Sequence, residues 1–427
     1  MRNWKRLLTI LLGCSLLLSG VAAFAAGTTE GGTAEAPDLV MMHDKGGNPN
    51  YQPFYEAMGQ EVKAQIGIGV TPTPYPTTDV FISTVRAALP TKQAPDLFTW
   101  WSTYRMKDLI DQGLVAETTD LWDKHKDEYA KGLRDAFTFG GKVYGFGYVV
   151  EYWGVWYNTE VFAKYNLSVP KTWDEFLKVC ETLKKNGVTP MAQTVTGRWP
   201  TFILFEEMVA RESPDLYVDL CEGRAKYSDP RVKKAFAVWA DLIAKGYFTD
   251  PSTDLFSDVP RLFNQGQVAM VPCGSWYLTV LTSSGVSEDT ANIFVMPPHN
   301  SASGKVAILE ASPILISKNA PNLDAAKKVA DYWMGPEGNA FYAKLVGQYP
   351  ANSKSDTSFL VKARVDFRKT LVDENYRILN RYWEATPTPI CEQAVDKFAE
   401  FILNPKSVDK VLSDLDKIAD EYWSKNK

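Results

Sequence analysis

The run of residues 143–158, VYGFGYVVEYWGVWYN, places the strongest constraint on how this chain can fold. Large apolar residues are interrupted by glycines in this run, which is typical of a strand that another chain or a ligand approaches closely. Glu151 is the only carboxylate in the run and lies among aromatic residues, so it needs a partner. Two interpretations stay open: a core strand with one paired acid, or a crossover between two lobes with the acid facing a cleft.

The chain has 427 residues, which is more than one hydrophobic core usually supports, so two domains are expected. Segments typical of strands alternate with segments of helical periodicity along it. For example, a strand at 38–42 precedes a helix with apolar residues at Phe54, Met58 and Val62. This alternation predicts an α/β fold with a mostly parallel sheet.

The N-terminal residues have the features of an export signal. A positively charged start and an apolar stretch at 7–18 precede an A-x-A motif at 23–25, which together predict a signal peptide over residues 1–25. Residues 26–37 are small and polar and are predicted to form a flexible leader. The sequence LLGC that ends at Cys14 offers an alternative, because it resembles a bacterial lipoprotein box and would make Cys14 a lipidated N-terminus.

Net charge and cysteine spacing argue against several classes of protein. The net charge of -5 gives no indication of a nucleic-acid partner or of an anionic membrane surface. No second apolar stretch is long enough to span a membrane, so the mature chain is not expected to be a membrane protein. The cysteines lack the spacing of a zinc site, and we expect no metal and no cofactor. An exported chain could form disulfides, but we favour buried thiols for the cysteines after the signal peptide, which are Cys180, Cys221, Cys273 and Cys391.

Motifs of catalysis are missing from the sequence. It contains no G-x-S-x-G, no H-E-x-x-H, no P-loop and no G-x-G-x-x-G after a strand. Paired carboxylates are harder to exclude, because Glu151 with Asp44 or Glu310 could serve a glycosidase. These acids could equally form a structural pair or accept hydrogen bonds from sugar hydroxyls. A chain without these motifs but with aromatic residues at several strand ends is more typical of a binding protein.

Candidate ligand-binding residues lie mostly at the ends of predicted strands. In open α/β sheets, ligands bind beyond the carboxyl ends of the strands. The flat face of an aromatic ring packs on the apolar face of a pyranose, and charged side chains hydrogen-bond its hydroxyls. The candidates at or near strand ends are His43, Asp44, Lys45, Trp100, Trp101, Arg198, Trp199 and Trp276, and those within the two apolar segments are Glu151, Trp153 and Glu310.

Five segments, in one order, resemble the extracellular solute-binding proteins of ABC-type sugar importers, in the maltose-binding-protein-like group. They are APDLFTW at 94–100, GKVYGFGYVVEYWGVWYN at 141–158, VPKTWDEF at 169–176, LFNQGQVAMVPCGSW at 262–276 and the run that begins GKVAILEASPILISKNAP at 304–333. Each segment alone is a weak signal, but together they cover nearly all of the chain after the leader.

The resemblance implies a fold and its boundaries. The expected fold is a two-lobed periplasmic-binding-protein fold, with mixed sheets flanked by helices, a hinge between the lobes and a ligand cleft between them. The N-terminal lobe would comprise residues 38–147 plus 304–335, and the C-terminal lobe residues 148–303 plus 336–427.

The resemblance also implies roles for individual residues. Asp44 and Lys45 match an Asp-Lys pair that binds sugar hydroxyls, and Trp100 matches a cleft tryptophan. Glu151 matches a glutamate of the hinge strand, and Trp276 matches a tryptophan that stacks on the sugar. The chain departs from the family at 101–104, where it has Trp101 in place of a small residue and lacks charged residues. The identity and length of the sugar therefore stay open.

The function that the resemblance implies is non-catalytic. The chain is expected to be a monomer that binds a small-molecule carbohydrate, either a monosaccharide or an oligosaccharide, by hinge closure and delivers it to the permease subunits of an ABC importer. It would act in the periplasm or at the cell surface, with lipid anchoring through Cys14 as the open alternative. Two other functions are weighed: an exported glycosidase using Glu151 and a second acid, or a binding protein for a polyol or glycerophosphodiester with Arg198 and Lys45 facing phosphate.

Overall fold

The computed structural model describes residues 38–46 and 51–426. The predicted signal peptide over 1–25, the leader over 26–37 and the alternative lipidation site at Cys14 lie outside these residues. Among the helices that are described, none is both long enough and apolar enough to cross a membrane.

Strands and helices alternate through most of the described chain. The strands are β1 (Leu39–His43), β2 (Val70–Pro74), β3 (Leu97–Thr99), β4 (Thr138–Phe139), β5 (Lys142–Val143), β6 (Phe146–Asn158), β7 (Thr189–Met191), β8 (Val268–Gly274), β9 (Ala291–Phe294), β10 (Val306–Ile316), β11 (Tyr349–Pro350) and β12 (Arg377–Asn380). The α-helices are α1 (Gln52–Ile66), α2 (Thr78–Ala88), α3 (Tyr104–Asp111), α4 (Thr119–Lys124), α5 (Lys131–Ala136), α6 (Thr159–Lys164), α7 (Trp173–Lys185), α8 (Phe202–Glu212), α9 (Pro214–Cys221), α10 (Pro230–Ala244), α11 (Asp258–Asn264), α12 (Tyr277–Ser283), α13 (Leu323–Met334), α14 (Pro336–Val346), α15 (Lys362–Asp373), α16 (Tyr382–Ala385), α17 (Thr388–Leu403) and α18 (Val408–Asn426). Single 3₁₀ turns lie at Trp199–Thr201, Ser301–Ser303 and Pro405–Ser407.

Ten of these strands form one mixed sheet, whose main path runs in the order β2-β1-β3-β10-β6-β8-β7. β1 is parallel to β2 and β3, and β7 is parallel to β8. β10 is antiparallel to β3 and β6, and β6 is antiparallel to β8. The mixed sheet expected from the family resemblance is confirmed. The mostly parallel sheet expected from the alternation alone is wrong, because β6 is antiparallel to each strand it pairs with and β10 is antiparallel to β3 and β6, although parallel to β12.

The long strands β6 and β10 join the two halves of the sheet. The first part of β6 pairs with β10 between Phe146 and Trp153, and its last part pairs with β8 and β9. β10 pairs with β12 at its start and with β3 at its end. Glu151 and Glu310 are opposite each other in this central ladder. The apolar run at 146–158 therefore lies in the middle of the sheet, with hydrogen-bonded strands on both sides.

Local sequence signals account for the start and the buried face of α7. Thr172 accepts a hydrogen bond from the backbone N–H of Glu175, and the Glu175 carboxylate accepts one from the backbone of Thr172. This reciprocal pair is a capping box, which the T-x-x-E spacing of 172–175 indicates and which satisfies amides that the first helical turn leaves free. Phe176, Cys180 and Leu183 are buried on one face, as their spacing predicts.

The cysteines of the described residues are free and buried, and they are Cys180, Cys221, Cys273 and Cys391. Burial raises the pKa of each of the four thiols. They are therefore protonated at neutral pH and weak nucleophiles. Buried thiols, the interpretation favoured from the sequence, are confirmed.

The exact extents of the two lobes stay a prediction. In the predicted boundaries, residues 336–427 belong to the C-terminal lobe together with residues 148–303. Helix α14, which begins at Pro336, packs on α1 and α13 and also contacts β6 and β11. The chain therefore returns to the vicinity of its first helix after β10, beyond the predicted boundary at residue 335.

Candidate ligand-binding site

A cavity of about 570 Å³ lies beside the centre of the sheet and is lined by residues of both β6 and β10. Its volume falls within the range of small-molecule binding sites. Eight of the eleven residues predicted from the sequence line it, namely Asp44, Lys45, Trp101, Glu151, Arg198, Trp199, Trp276 and Glu310. Residues that are remote in sequence thus meet at one place, as the strand-end argument predicted.

Three predicted residues do not line the cavity. His43 is fully buried, where its Nε2 is 2.8 Å from Gln52 Oε1 and its ring stacks on Tyr55. Trp100 is also buried, and its indole N–H donates to the backbone oxygen of Arg105 at 3.0 Å. Trp153 is buried in β6, and its indole N–H donates to Glu310 at 3.1 Å. All three side chains are part of the core that supports the wall.

Asp44 and Lys45 form an ion pair directly after β1. Lys45 Nζ lies 2.8 Å from Asp44 Oδ2, and the Thr99 hydroxyl donates to Asp44 Oδ1 at 2.9 Å. Burial acts to raise the pKa of Asp44, but Lys45 and Thr99 outweigh it and hold the pKa below its usual range. Asp44 is therefore an ionised, oriented hydrogen-bond acceptor at neutral pH. Lys45 is a hydrogen-bond donor whose positive charge is balanced by Asp44.

Glu151 lies on the cavity floor and pairs with a buried arginine. Its Oε2 accepts hydrogen bonds from the Ser275 hydroxyl and from Arg364 Nη2. Its Oε1 is buried and accepts no hydrogen bond from the described residues. Burial raises the pKa of Glu151 to about 7, because desolvation outweighs the opposing effects of Arg364 and Ser275. One carboxylate oxygen at the floor of the cavity is thus fixed and the other is unused.

Glu310 orients two tryptophan rings at once. Its Oε2 accepts from the indole N–H of Trp276 at 2.9 Å and from that of Trp153 at 3.1 Å. The same oxygen lies 2.8 Å from Arg381 Nη1. Arg381 also donates from Nε to Glu384 Oε2 at 2.8 Å, so its guanidinium is shared between two buried carboxylates. This network fixes the position of the Trp276 ring. The Trp276 side chain is half-buried and lines the cavity.

Aromatic rings continue from Trp276 towards other parts of the wall. The ring centroid of Trp276 lies 6.4 Å from that of Trp199 and 6.2 Å from that of Phe256. The planes of the Trp276 and Phe256 rings make an angle of 21°. The ring centroid of Trp383 lies 6.1 Å from that of Trp101, and both residues line the cavity. The cavity therefore has extended apolar faces beside the charged groups of β6 and β10.

Arg198 is tied to an acidic helix at the cavity wall. Its backbone has a φ of 60°, a left-handed conformation that a non-glycine residue adopts at some cost. Its guanidinium bonds Asp396 through Nε at 2.9 Å and Nη2 at 3.1 Å, and Nη2 also donates to the Glu392 backbone oxygen. Nη1 reaches to 3.5 Å from Asp79 Oδ2 at the start of α2. The charge of Arg198 is thus already matched by carboxylates.

Sequence reasoning missed several residues of the cavity wall, including Tyr51, Asp79, Tyr148, Phe256, Gln348, Arg381 and Trp383. Arg381 and Trp383 could have been found, because both follow directly after strand β12, which ends at Asn380. Phe256 follows no strand and carried no such signal. Its position depends on how the loop before α11 packs.

The described residues contain no group of three or more His, Cys, Asp or Glu side chains arranged to hold a metal ion. Three carboxylates of the cavity, Asp44, Glu151 and Glu310, are paired with Lys45, Arg364 and Arg381 respectively.

Solved structures share this architecture over nearly the whole chain. The bacterial solute receptor AcbH, described with an exclusive preference for β-D-galactopyranose, superposes with a TM-score of 0.82 at 18% identity, covering 92% of this chain and 99% of that one. A chitin oligosaccharide binding protein superposes with a TM-score of 0.80 at 19% identity, covering 91% and 100%. The fold is therefore that of the two-lobed periplasmic solute-binding proteins, and the predicted fold class is confirmed.

Residues 57–369 match the family model of the bacterial extracellular solute-binding proteins, and the chain belongs to this family. An uncharacterized ABC transporter extracellular-binding protein of Pyrococcus horikoshii is 27% identical over 250 residues, which are 51% of this chain and 57% of that protein. The osmoprotective compounds-binding protein GgtB of Synechocystis is 25% identical over 269 residues, 58% of this chain and 59% of that protein. The chain thus spans a little over half the length of these curated relatives.

Proposed function

We propose that this protein is the exported substrate-binding component of an ABC-type carbohydrate importer, which binds a neutral sugar and hands it to a membrane permease. The observation that carries the proposal is the Trp276 ring, fixed by Glu310 and presented to the cavity next to charged hydrogen-bonding groups. A pyranose has an apolar face that packs on such a ring and a rim of hydroxyls that bond charged partners.

Polar partners for hydroxyls line the same cavity as the Trp276 ring. Asp44 and Lys45 lie on one part of the wall, Glu151 lies on the floor, and Arg381 stands beside Glu310. A sugar hydroxyl can both donate and accept a hydrogen bond. In an ion pair such as Asp44 with Lys45, the carboxylate can accept from the hydroxyl and the ammonium group can donate to it. A hydroxyl at the floor would also supply a donor to the unused oxygen of Glu151.

The charge of the cavity favours a neutral ligand over a phosphate-containing one. Lys45 is paired with Asp44, Arg198 with Asp396, and Arg381 with Glu310. None of these three cations has charge left to balance a phosphate, which would lie close to the carboxylates as well. The glycerophosphodiester alternative therefore has less support than a sugar or a polyol.

The proposed action is binding without chemistry. Glu151 and Glu310 are the acids that a glycosidase would use, but each is held by a buried arginine, Arg364 or Arg381. A glycosidase needs two available acids, whereas Glu310 already accepts hydrogen bonds from Trp153, Trp276 and Ser312. The family and the solved structures consist of binding proteins, which also supports a non-catalytic role.

Binding would proceed by closure of the two lobes over the sugar. Wall residues come from distant parts of the chain, such as Asp79 at the start of α2 and Arg198 after β7. A ligand that contacts both lobes binds the closed state more tightly than the open state, and binding therefore shifts the equilibrium toward closure. The permease would then recognise the closed form, and one copy of the chain suffices for the site.

The names of two relatives support a carbohydrate cargo. The chain is similar to a multiple sugar-binding protein of Streptococcus mutans, at 23% identity over 214 residues, and to the diacetylchitobiose binding protein NgcE of Streptomyces coelicolor, at 22% over 284 residues. These proteins differ in the sugar that their names give, so the specific ligand has to be found by experiment.

A thermal-shift screen of the protein without residues 1–25 tests the proposal. The panel contains mono- and oligosaccharides, polyols and glycerophosphodiesters, and each hit is followed by calorimetry and by product analysis. A ligand that binds only the folded state raises the melting temperature. A shift with a neutral carbohydrate and no product is expected. A product, or a shift only with phosphate-containing compounds, would contradict the proposal.

The proposed location is outside the cytoplasmic membrane, either free in the periplasm or anchored at the cell surface. Cys14→Ser separates these alternatives. If Cys14 carries a lipid, the substitution releases the protein from the membrane fraction. If the signal peptide is cut after residue 25, the wild type and the variant are both recovered in the soluble exported fraction.

A further inference from the structure

A helix of a single turn, α16 (Tyr382–Ala385), carries part of the cavity wall. Arg381, directly before it, and Trp383, within it, both line the cavity. Arg381 also pairs with Glu310, which fixes the Trp276 ring. A helix of four residues is not stable by itself, because the first turn fixes several backbone dihedrals for very few hydrogen bonds. Other parts of the molecule must therefore hold this turn in place.

The start of α16 is capped by a distant side chain. Its own N-cap residue, Arg381, makes no side-chain cap hydrogen bond. The backbone N–H of Tyr382 instead donates to Glu206 Oε2 at 2.8 Å, although the two residues are 176 positions apart in the chain. The first amides of a helix have no partner within the helix. Glu206 of α8 thus does for α16 what an N-cap residue usually does.

Helix α8 contacts the same turn at a second point. Phe202, its first residue, lines the cavity and stacks on Trp383, with ring centroids 5.7 Å apart and planes at 24°. Glu206 follows four positions later, so both side chains lie on one face of the helix. Every residue of α8 is buried. The turn therefore rests on a helix that is itself enclosed by the protein.

Side chains at the start of α3 bond the carbonyl groups of α16. Arg105 Nε donates to the backbone oxygen of Trp383 at 3.1 Å, and its guanidinium carbon lies 3.5 Å from the centroid of the Trp383 ring. The Thr103 hydroxyl donates to the backbone oxygen of Glu384. Glu206 at the amide end and these two residues at the carbonyl end thus hold one short turn between them.

Glu206 is an unfavourable residue to bury. It is fully buried, and its Oε1 forms no hydrogen bond with the described residues. Burial raises the pKa of Glu206 well above its usual range, and the nearby Glu207 and Glu384 act in the same direction. The side chain is therefore neutral at pH 7. An apolar side chain of similar size would avoid the cost of burying a carboxyl group, but it could not accept from the Tyr382 amide.

We propose that Glu206 is a positioning residue of the binding site, which caps α16 and so holds Arg381 and Trp383 where a sugar contacts them. The proposal rests on the proposed carbohydrate-binding function and adds to it a residue that does not itself line the cavity. Without the cap, the turn would fray. A sugar would then have to order both side chains on binding, which weakens its affinity.

Calorimetry of Glu206→Met and Glu206→Gln tests the proposal. Methionine is similar in size but has no acceptor for the Tyr382 amide, whereas glutamine keeps an acceptor and, like the neutral acid, carries no charge. The probes are galactose, maltose, raffinose and N,N′-diacetylchitobiose, and the one that wild type binds most tightly is used for the variants. Glu206→Met is expected to weaken binding about tenfold, and Glu206→Gln to stay within about threefold of wild type.

Hydrogen exchange followed by mass spectrometry gives a local measurement that needs no sugar. In Glu206→Met, peptides that cover residues 380–386 are expected to exchange faster than in wild type, because the first amides of α16 lose their acceptor. In Glu206→Gln, the same peptides should exchange as in wild type. A general loss of stability would speed exchange in all peptides and would not be restricted to this turn.

Glu207→Gln is the matched control. Glu207 is the next residue of α8 and is equally buried, but it pairs with Arg211 and not with α16. This substitution should lower the melting temperature, because Arg211 loses its buried carboxylate partner. It should leave the sugar affinity and the exchange of residues 380–386 unchanged. A role of Glu206 in packing alone would give the same pattern for both positions.

The outcomes separate this role from the proposed function. Wild-type affinity in a folded Glu206→Met, or equal losses in Glu206→Met and Glu206→Gln, would overturn the positioning role and leave carbohydrate binding in place. Glu206→Leu replaces the methionine variant if that variant does not fold. If neither folds, Glu206 serves the fold and not the site, and the proposal is overturned. Wild type that binds only a non-carbohydrate ligand would overturn the proposed function and this role with it.

Discussion

Glu151 and Glu310 lie directly opposite each other on the adjacent antiparallel strands β6 and β10. Like charges in this arrangement destabilise a sheet unless each has its own partner. Glu151 pairs with Arg364 of α15, and Glu310 pairs with Arg381, which follows β12. The two arginines therefore allow two acids to lie side by side on the floor of one cavity.

Removing Arg381 should destabilise the fold strongly. In Arg381→Met, Glu310 and Glu384 lose their shared cation while they stay buried, which is expected to cost about 3–5 kcal/mol in the free energy of unfolding. Urea denaturation measures this change.

Arg377→Ala is the matched control, because Arg377 lies four positions earlier and forms an exposed pair with Asp215. Its loss should change the free energy of unfolding by at most about 1 kcal/mol. Equal effects of the two substitutions would show that the buried network does not stabilise the protein.

Trp276→Ala should abolish most of the sugar affinity without unfolding the protein. The ring is half-buried at the cavity, and its loss removes the proposed stacking face, so the dissociation constant should rise more than tenfold. Calorimetry with the sugar found in the screen gives the affinity, and the melting temperature reports on the fold.

Trp276→Phe separates the two roles of this side chain. Phenylalanine keeps an aromatic face but cannot donate to Glu310, so an intermediate affinity is expected. Trp173→Ala, a half-buried tryptophan on α7 away from the cavity, should leave the affinity unchanged. Unaltered binding by Trp276→Ala would remove this residue from the site.

The titration of Glu151 should make stability depend on pH. Burial raises its pKa from the reference value of 4.5 to about 7, so the folded state keeps a proton that the unfolded state has lost. The free energy of unfolding should therefore fall as the pH rises from about 4.5 to about 7, by on the order of 3 kcal/mol, and should then level off.

Glu151→Gln isolates this contribution from those of other acids. Glutamine does not titrate, so the variant should lack the part of the decline between pH 4.5 and 7 that comes from Glu151. Chemical denaturation over a pH series provides both curves. Parallel curves for wild type and variant would show that Glu151 is already ionised at low pH, held so by Arg364.

The contact between Arg198 and Asp79 should affect ligand release more than stability. The two side chains are 42% and 60% exposed and 3.5 Å apart, which makes their pairing worth at most about 1 kcal/mol. Because they join two segments of the cavity wall, Asp79→Asn is expected to speed ligand dissociation by up to about fivefold, as measured by stopped-flow fluorescence.

Asp120→Asn removes an equally exposed acid, which pairs with Lys327 outside the cavity wall, and should not change the dissociation rate. The effect of Asp79→Asn should also shrink at high salt. A change in melting temperature without a change in dissociation rate would mean that the pair is structural only.

Much of the fold could be predicted from the sequence because its signals are local. The capping box at Thr172 and the buried face of α7 follow from residue spacing within one helix. The apolar run at 306–316 is one continuous segment in the sequence and coincides with β10. Strand-end positions identified six of the residues that line the cavity, since parallel strands bring their carboxyl ends to one edge.

Which side chain faces the cavity was decided by the tertiary structure. Trp100 and Trp101 are neighbours after the same strand, yet only Trp101 lines the cavity, because successive side chains point to opposite faces of an extended chain. The sequence predicted both, since it shows the residue type and not the face.

The sequence by itself determined the α/β class, the family and most of the strand-end residues, because periodicity and motifs act over short stretches. Only the tertiary structure decided the partners of the buried charges. Arg364 reaches Glu151 across 213 positions of the chain, and Trp276 reaches Glu310 across 34. A buried carboxylate must find a cation or donor, but sequence spacing does not specify which one packs against it. The position of Phe256 at the cavity depends in the same way on packing between distant segments.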